Sequence, residues 1–165
     1  MQTEHAVTGT TDEESADEER SVLESAVALG SLFETCLGPD GRTKLVSGDS
    51  GYVVTNDVHR IFDEMEIPDP AARFVVQHVV AQKEDVGDGS LTTLLLAGAL
   101  SRAATELLDD GYLRATVEDG FDRARAEALT ELERQERATA GDSDDVLRSV
   151  ARTSLNSDRP ELVDV

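Results

Sequence analysis

Apolar residues recur every three or four positions along most of the chain, the spacing that places them on one face of an α-helix. A first helix is predicted to run to about Cys36, with Ser15 and Glu18 forming a capping-box pattern ahead of its apolar period. The positions that carry this period are Val22, Ala26, Leu29, Phe33 and Cys36. Five further helices are predicted: His59 to Met65, Pro70 to the residue before Gly87, Ser90 to Asp109, Thr116 to a break at Thr139, and Asp144 to Ser154.

Two short β-leaning runs interrupt this helical pattern. Lys44 to Val46 and Tyr52 to Thr55 flank the glycine-rich turn 47–51, which predicts an antiparallel hairpin. A lone hairpin has open edges, so we expect it to be mobile or to pair with another chain. A chain of 165 residues fits one domain with a substantial core. The predicted fold class is therefore mainly α, with one β-hairpin.

The segment from Glu84 to Leu100 joins a glycine-flanked acidic turn to the start of an apolar helix. Gly87 and Gly89 lack a Cβ, so a ligand can approach the backbone closely, and a helix N-terminus offers unpaired N–H groups to a phosphate. Asp88, between the glycines, is placed to hold a Mg²⁺ that bridges to the same phosphate. The alternative is an ordinary turn in which Asp88 or Ser90 caps the helix. The helix is apolar on nearly every face, which predicts that it is buried.

The charge balance excludes some classes of partner. The chain has 35 acidic and 15 basic residues, a net charge of −20, and this excludes a general nucleic-acid or anionic-membrane binder. Only Lys44 and Lys83 are lysines, which together with the acids predicts a halophilic protein adapted to ~1 M salt, where the Debye length is about 3 Å. The alternative is an ordinary acidic protein with a solvated tail over residues 1–20. Without a signal-peptide pattern or a long uncharged apolar run, we expect a cytoplasmic protein.

Several other chemistries have no support in the sequence. Neither G-x-x-x-x-G-K-[ST] nor G-x-G-x-x-G occurs, so neither common nucleotide fingerprint applies. The chain also lacks the G-x-S-x-G of serine hydrolases. His5, His59 and His78 form no metal pair at helical spacing, and the single Cys36 gives neither an intrachain disulfide nor a metal framework.

Four motifs in order are more specific than any one of them: LGPDGRTKLV, GYVVTND, EMEIPDPAARFVV and QKEDVGDGSLTTLLLAGAL. Together they resemble the group II chaperonins, the family of the thermosome and the eukaryotic cytosolic chaperonin. The resemblance continues into VLRSVARTSLNS and covers residues 22–157. It implies part of an equatorial ATP-binding domain over residues 21–138 and the start of an intermediate domain over residues 139–165, after the acidic tail.

The resemblance also implies ligands and site residues. In such proteins LGP-x-G and GDGTTT wrap the nucleotide phosphates, and the GDG aspartate binds the metal, so ATP and Mg²⁺ are the implied cofactors with Mg²⁺ on Asp88. The aspartate of TNDG, here Asp57, is implied to lie beside the γ-phosphate and to support hydrolysis. The implied nucleotide-binding positions are Leu37, Gly38, Pro39, Asp88, Gly89, Ser90, Leu91 and Thr92.

Three departures weaken these motifs. Leu91 replaces the second threonine of GDGTTT and removes a hydroxyl, Val58 replaces the glycine of TNDG, and Asp40 adds a negative charge where the family is usually basic. From the resemblance we also expect these 165 residues to lack the apical domain, the aspartate that positions the attacking water and the base-enclosing half of the equatorial domain. Because phosphoryl transfer needs groups on several sides of the nucleotide, we expect weak binding and no repeated ATP turnover by this chain alone.

The implied partners are neighbouring chaperonin subunits. The stem-loop from Lys44 to Thr55 is implied to add strands to a neighbour's sheet, with Val53 and Val54 as contacts, while unfolded clients are bound only by a complete ring. Three hypotheses remain: a truncated subunit of an ATP-dependent protein-folding chaperone, a non-catalytic module docking on full-length subunits, or a gene remnant. The altered phosphate motifs favour the latter two, whereas the intact helical periods argue against long neglect.

Overall fold

The computed structural model describes residues 12–38, 41–48, 51–136 and 144–154. Over these ranges the chain forms six α-helices, a short 3₁₀ turn (Glu34–Cys36) and a two-stranded antiparallel sheet. The helices are α1 (Asp12–Phe33), α2 (Val58–Glu64), α3 (Pro70–Val86), α4 (Ser90–Asp109), α5 (Arg114–Gln135) and α6 (Asp144–Ser154), and the strands are β1 (Lys44–Gly48) and β2 (Gly51–Thr55). The predicted class, mainly α with one β-hairpin, is confirmed.

The core lies where α1, α3 and α4 pack together, with α2 at one end. The periodic positions of the sequence supply it, and the buried ones among them are Ala26, Phe33, Cys36, Val75 and Val79. Phe33 is fully buried, and its ring meets that of Phe62 on α2 edge-to-face, with centroids 5.2 Å apart. Burying one such side chain contributes about 1.5–3 kcal/mol, so this contact fixes α2 against the end of α1.

Two glycines allow α1 and α4 to cross at close range. A Cβ at Gly30 would lie 3.2 Å from the Cα of Gly98, and a Cβ at Gly98 would lie 2.9 Å from the carbonyl oxygen of Ala26. Because neither glycine carries a side chain, the two helix backbones come into direct contact. The crossing holds α4 near its middle and so positions the turn that precedes it.

The prediction that α4 is buried, made because it is apolar on nearly every face, holds for one side of the helix only. Its buried residues are Ser90, Leu94, Gly98 and Ala104. Leu96 is 57% exposed and Leu100 42% exposed, because the described helices pack on one side of α4 and leave the other open. By length and composition α4 also meets the criteria for a membrane-crossing helix, which the central helices of globular domains meet as well.

Three helices begin earlier than the sequence pattern indicated, α2 by a single residue, at Val58 rather than His59. α1 begins at Asp12, so it includes the last nine residues of the predicted acidic tail. Ion pairs between Glu19 and Arg114 and between Arg20 and Asp109 join this first part of α1 to the end of α4 and the start of α5. α5 begins at Arg114 rather than at Thr116. Val117 is buried and Phe121 half-buried, but the other apolar residues at helical spacing along α5 are exposed: Ala124, Ala128 and Leu132.

The hairpin has an inner and an outer face. Val46 pairs with Val53 and Leu45 pairs with Val54 across the two strands. Since paired residues share a face, Val46 and Val53 lie on one side, where both are half-buried and Val46 packs against the core. The other face presents Leu45 and Val54, which are 68% and 65% exposed. Tyr52, two residues from Val54 and 77% exposed, extends this outer face.

Candidate phosphate site

The turn between α3 and α4 has the backbone conformation that its two glycines permit. Gly87 ends α3 with φ 91°, and its N–H donates to the carbonyl of Lys83 over 2.8 Å. Gly89 is the N-cap of α4 and has φ 92°. A left-handed conformation costs a residue with a Cβ about 1–2 kcal/mol, so both positions favour glycine. The turn therefore directs the chain sharply into the first residue of α4.

The start of α4 lacks a side-chain cap. Neither Asp88 nor Ser90 caps it, so the ordinary capping alternative is wrong in this respect. The Oδ1 of Asp88 instead accepts a hydrogen bond from the N–H of Gly89 over 2.7 Å, and the carboxylate is exposed. The first N–H groups of a helix have no intrahelical acceptor and lie at the positive end of its dipole. The helix start therefore retains the donors that an oxyanion requires.

The side chains of the first turn of α4 point into different environments. Ser90 is buried, and its Oγ has no hydrogen-bond partner among the described residues. Leu91 is partly buried and packs against the hydrophobic core. Thr92 is exposed and Thr93 is half-buried. Of the predicted nucleotide-binding positions here, Leu91 serves packing, while Ser90 and Thr92 carry the hydroxyls.

Asp57 has three hydrogen-bond donors around its carboxylate. As the N-cap of α2 it accepts from the backbone N–H of His59 over 2.9 Å and from that of Arg60 over 3.4 Å. The Nζ of Lys83, at the end of α3, donates to its Oδ2 over 2.7 Å. Burial raises the pKa of Asp57, but the bonds from Lys83 and the two N–H groups outweigh burial and hold the pKa below its ordinary value. Asp57 is therefore an ionised carboxylate.

The loop after α1 closes on itself. Leu37 follows the 3₁₀ turn, and Gly38 has φ 92°, as expected for the predicted helix stop. The N–H of Gly41 donates to the Gly38 carbonyl over 3.0 Å. A Cβ on Gly41 would lie 2.3 Å from the carbonyl oxygen of Cys36, so this glycine is needed for the loop to fold back. Two predicted residues of the loop, Pro39 and Asp40, lie outside the described residues.

The structure brings two of the predicted motifs close to each other. Lys83 joins Asp57 to the helix that leads into the Gly87 turn, so these two motifs are neighbours. Leu37 lines a groove between α1 and α4 that also includes Leu95, one turn beyond Leu91.

The described residues contain no cluster of three or more His, Cys, Asp or Glu side chains suited to a metal. Mg²⁺ is commonly held by one carboxylate together with phosphate oxygens and waters, so the lone Asp88 suits it.

Lys83 was not among the residues predicted for the site. The signal was present, because Lys83 is one of only two lysines in a chain with 35 acidic residues and lies four residues before Gly87. Its partner Asp57 is 26 positions away, and only the packing of α2 beside α3 brings the two together. The other lysine, Lys44, donates from Nζ to the Oγ1 of Thr35 over 3.0 Å and joins the start of the hairpin to the end of α1.

This arrangement defines a class of protein. It is a mainly helical domain in which a glycine turn precedes the central helix, and the start of that helix carries N–H groups without a side-chain cap beside an exposed carboxylate. Residues 29–164 match the TCP-1/cpn60 chaperonin family. The chain belongs to this family, on its group II (thermosome and TCP-1) side. The resemblance stated from the four sequence motifs is confirmed.

The relatives span both archaea and eukaryotes. The chain is 37% identical over 139 residues to the thermosome subunit beta of Desulfurococcus mucosus, which covers 84% of this chain and 28% of that protein. It is 32% identical over 140 residues to a thermosome subunit of Methanocaldococcus jannaschii, covering 84% and 26%. It is 36% identical over 138 residues to the T-complex protein 1 subunit delta of Caenorhabditis elegans, covering 83% and 26%. The chain thus spans about a quarter of the length of these relatives.

Proposed function

We propose that this chain is the part of a chaperonin subunit that binds the phosphates and Mg²⁺ of ATP, in a cytoplasmic chaperone that folds proteins. The observation that carries the proposal is the uncapped start of α4 behind two left-handed glycines, with the exposed carboxylate of Asp88 between them. Backbone donors at a helix N-terminus suit phosphate oxygens, and a carboxylate beside them suits the metal. Membership of the chaperonin family supports ATP as the ligand.

Each residue has a distinct task in this proposal. Ser90 and Leu91 provide backbone donors, since the N–H of Gly89 is already bonded to Asp88, and the hydroxyls of Ser90 and Thr92 provide further ones. The buried Ser90 Oγ, which has no partner among the described residues, supports this assignment, because a buried hydroxyl without a partner is costly. Leu37 and Gly38 contact the phosphates from the loop after α1, where the family motif also assigns Pro39, and Asp88 holds Mg²⁺, which neutralises phosphate charge when bound. Asp57 lies beside the terminal phosphate.

Nucleotide binding by the Asp88→Ala variant tests the proposal. Titration calorimetry of the 165-residue chain with ATP and Mg²⁺ is expected to show binding that falls at least about tenfold in this variant, because the metal loses its carboxylate. Asp110→Ala removes the same charge at the other end of α4 and is expected to bind as the parent does. Binding that survives in Asp88→Ala would show that the phosphate site is elsewhere.

The outer face of the hairpin favours a second function, docking on chaperonin subunits. Leu45, Tyr52 and Val54 are exposed together on that face, and an apolar strand pair with open edges suits strand addition to another sheet. In this role the chain associates with full-length subunits of a ring, and unfolded clients are bound only by the complete ring. Both functions are compatible, since the hairpin and the α4 turn use different residues.

A further inference from the structure

Lys83 is the residue around the candidate site to which neither the motifs nor the proposed function gives a role. It lies in the last turn of α3, where its carbonyl accepts from the N–H of Gly87 and its Nζ reaches Asp57 over 2.7 Å. One residue thus contacts both the glycine turn and the start of α2. Its side chain is 38% exposed and that of Asp57 is 45% exposed, so the pair is open to a ligand on one side.

The negative charge of the chain makes the Lys83–Asp57 ion pair important for the approach of a phosphate. The chain has a net charge of −20, and a polyphosphate brings several more negative charges to the site. An unpaired carboxylate at Asp57 would repel the terminal phosphate, because like charges a few ångströms apart near a protein surface oppose each other strongly. Lys83 provides the compensating positive charge, and among the described residues it is the side chain that forms an ion pair with Asp57.

We infer that Lys83 is a positioning residue of the phosphate site, which pairs with Asp57 so that a nucleoside triphosphate can approach that carboxylate. This inference rests on the proposed function, because it takes the terminal phosphate to lie beside Asp57. It goes further in assigning a selectivity: Lys83 favours the triphosphate over the diphosphate, since only the triphosphate reaches Asp57. Lys83 acts through Asp57 and not by direct contact with the phosphate.

The test measures the affinities for ATP and for ADP, each with Mg²⁺, at one KCl concentration. Lys83→Gln is expected to weaken ATP binding about tenfold and ADP binding less than about threefold, the size expected for one uncompensated charge at a partly exposed site. Lys83→Arg, which keeps the charge, is expected to restore most of the ATP affinity. Arg73→Gln, at the exposed start of the same helix, removes the same charge and is expected to leave both affinities unchanged.

The double variant Lys83→Gln with Asp57→Asn separates the inference from its alternatives. If Lys83 compensates Asp57, removing the carboxylate as well restores ATP binding towards the parent affinity. An ATP affinity that stays low in the double variant overturns the inference, as does an equal loss for ATP and ADP in Lys83→Gln. A parent chain that binds neither nucleotide overturns the proposed function and this inference together, whereas binding lost in Asp88→Ala but unchanged in Lys83→Gln overturns the inference alone. Far-ultraviolet circular dichroism confirms that each variant is folded.

Discussion

Asp57 illustrates how one side chain serves local structure and the candidate site at once. Its carboxylate caps α2 through the N–H groups of His59 and Arg60 and pairs with Lys83. Asparagine caps a helix nearly as well as aspartate but carries no charge, so a pair of variants separates the two tasks.

Asp57→Ala is expected to lower the free energy of unfolding by about 1–2 kcal/mol, because the cap of α2 is lost. Asp57→Asn is expected to cost less than about 1 kcal/mol, the size of an exposed ion pair. Urea denaturation followed by circular dichroism measures both. An equal loss in the two variants would mean that charge, not capping, dominates at this position.

The lowered pKa of Asp57 gives the pair a defined pH dependence. A carboxyl whose pKa is lower in the folded chain stabilises the fold fully above its unfolded pKa, here 3.8, and loses that contribution as the pH falls through the folded value. The stability difference between the parent and Asp57→Asn is therefore expected to be constant above about pH 5 and to shrink below pH 3.8. Unfolding titrations across this range check the direction, and a difference that grows on acidification would contradict it.

Gly98 and Gly120 lie in helices but have opposite surroundings. A Cβ at Gly98 meets the backbone of α1 at 2.9 Å, whereas a Cβ at Gly120 meets nothing within 4 Å. Gly98→Ala is expected to destabilise the chain by about 1–2 kcal/mol, since overpacking against backbone exceeds the gain in helix propensity. Gly120→Ala is expected to stabilise it by about 0.5–1 kcal/mol. Urea midpoints of the two variants provide the measurement, and a stabilised Gly98→Ala would show that the crossing is looser than described.

At the scale of elements, the hairpin separates its packing face from its docking face. Val53 and Val54 were predicted to contact a neighbour together, but Val53 shares the half-buried face with Val46. Leu45 and Val54 form the exposed pair. The docking hypothesis is therefore tested on the outer pair, where substitution leaves the core intact.

The double variant Leu45→Lys with Val54→Lys is expected to lose association with a purified chaperonin ring while its helical circular dichroism stays unchanged, because charges on the outer face oppose strand docking. Leu129→Lys with Leu132→Lys, on the exposed face of α5, makes the same change in charge elsewhere. Co-elution on size-exclusion chromatography measures the binding. Docking through the hairpin is excluded if the hairpin variant co-elutes like the parent or the α5 variant loses association equally.

At the scale of the whole molecule, charge sets the conditions for folding. A net charge of −20 on 165 residues opposes compaction in dilute buffer. In molar KCl the Debye length falls to about 3 Å and the repulsion is largely screened. Helical circular dichroism is therefore expected to rise with KCl and to reach its full value near molar salt. A full helical signal with a cooperative melt at low salt would remove the argument for salt adaptation.

Several helix bounds and buried positions were predictable from local sequence patterns. The bounds of α4, the start of α3 at Pro70 and the end of α3 before Gly87 match the structure because caps and breakers act within a few residues. The buried positions of α1 and α3 follow from helical period for the same reason. The exposed side of α4 was not predictable, since composition reports how apolar a helix is and not which neighbours cover it.

The sequence by itself determined the class of fold, the family and the glycine turn at the start of α4, because each depends on residues close together in the chain. Only the tertiary structure decided that Lys83 pairs with Asp57, that Gly30 meets Gly98, and which face of the hairpin is open. These contacts join residues 26 and 68 positions apart, or depend on how two strands lie against α2. Such pairings arise from packing, in which the burial of many side chains together sets the helix positions, and no local pattern encodes them.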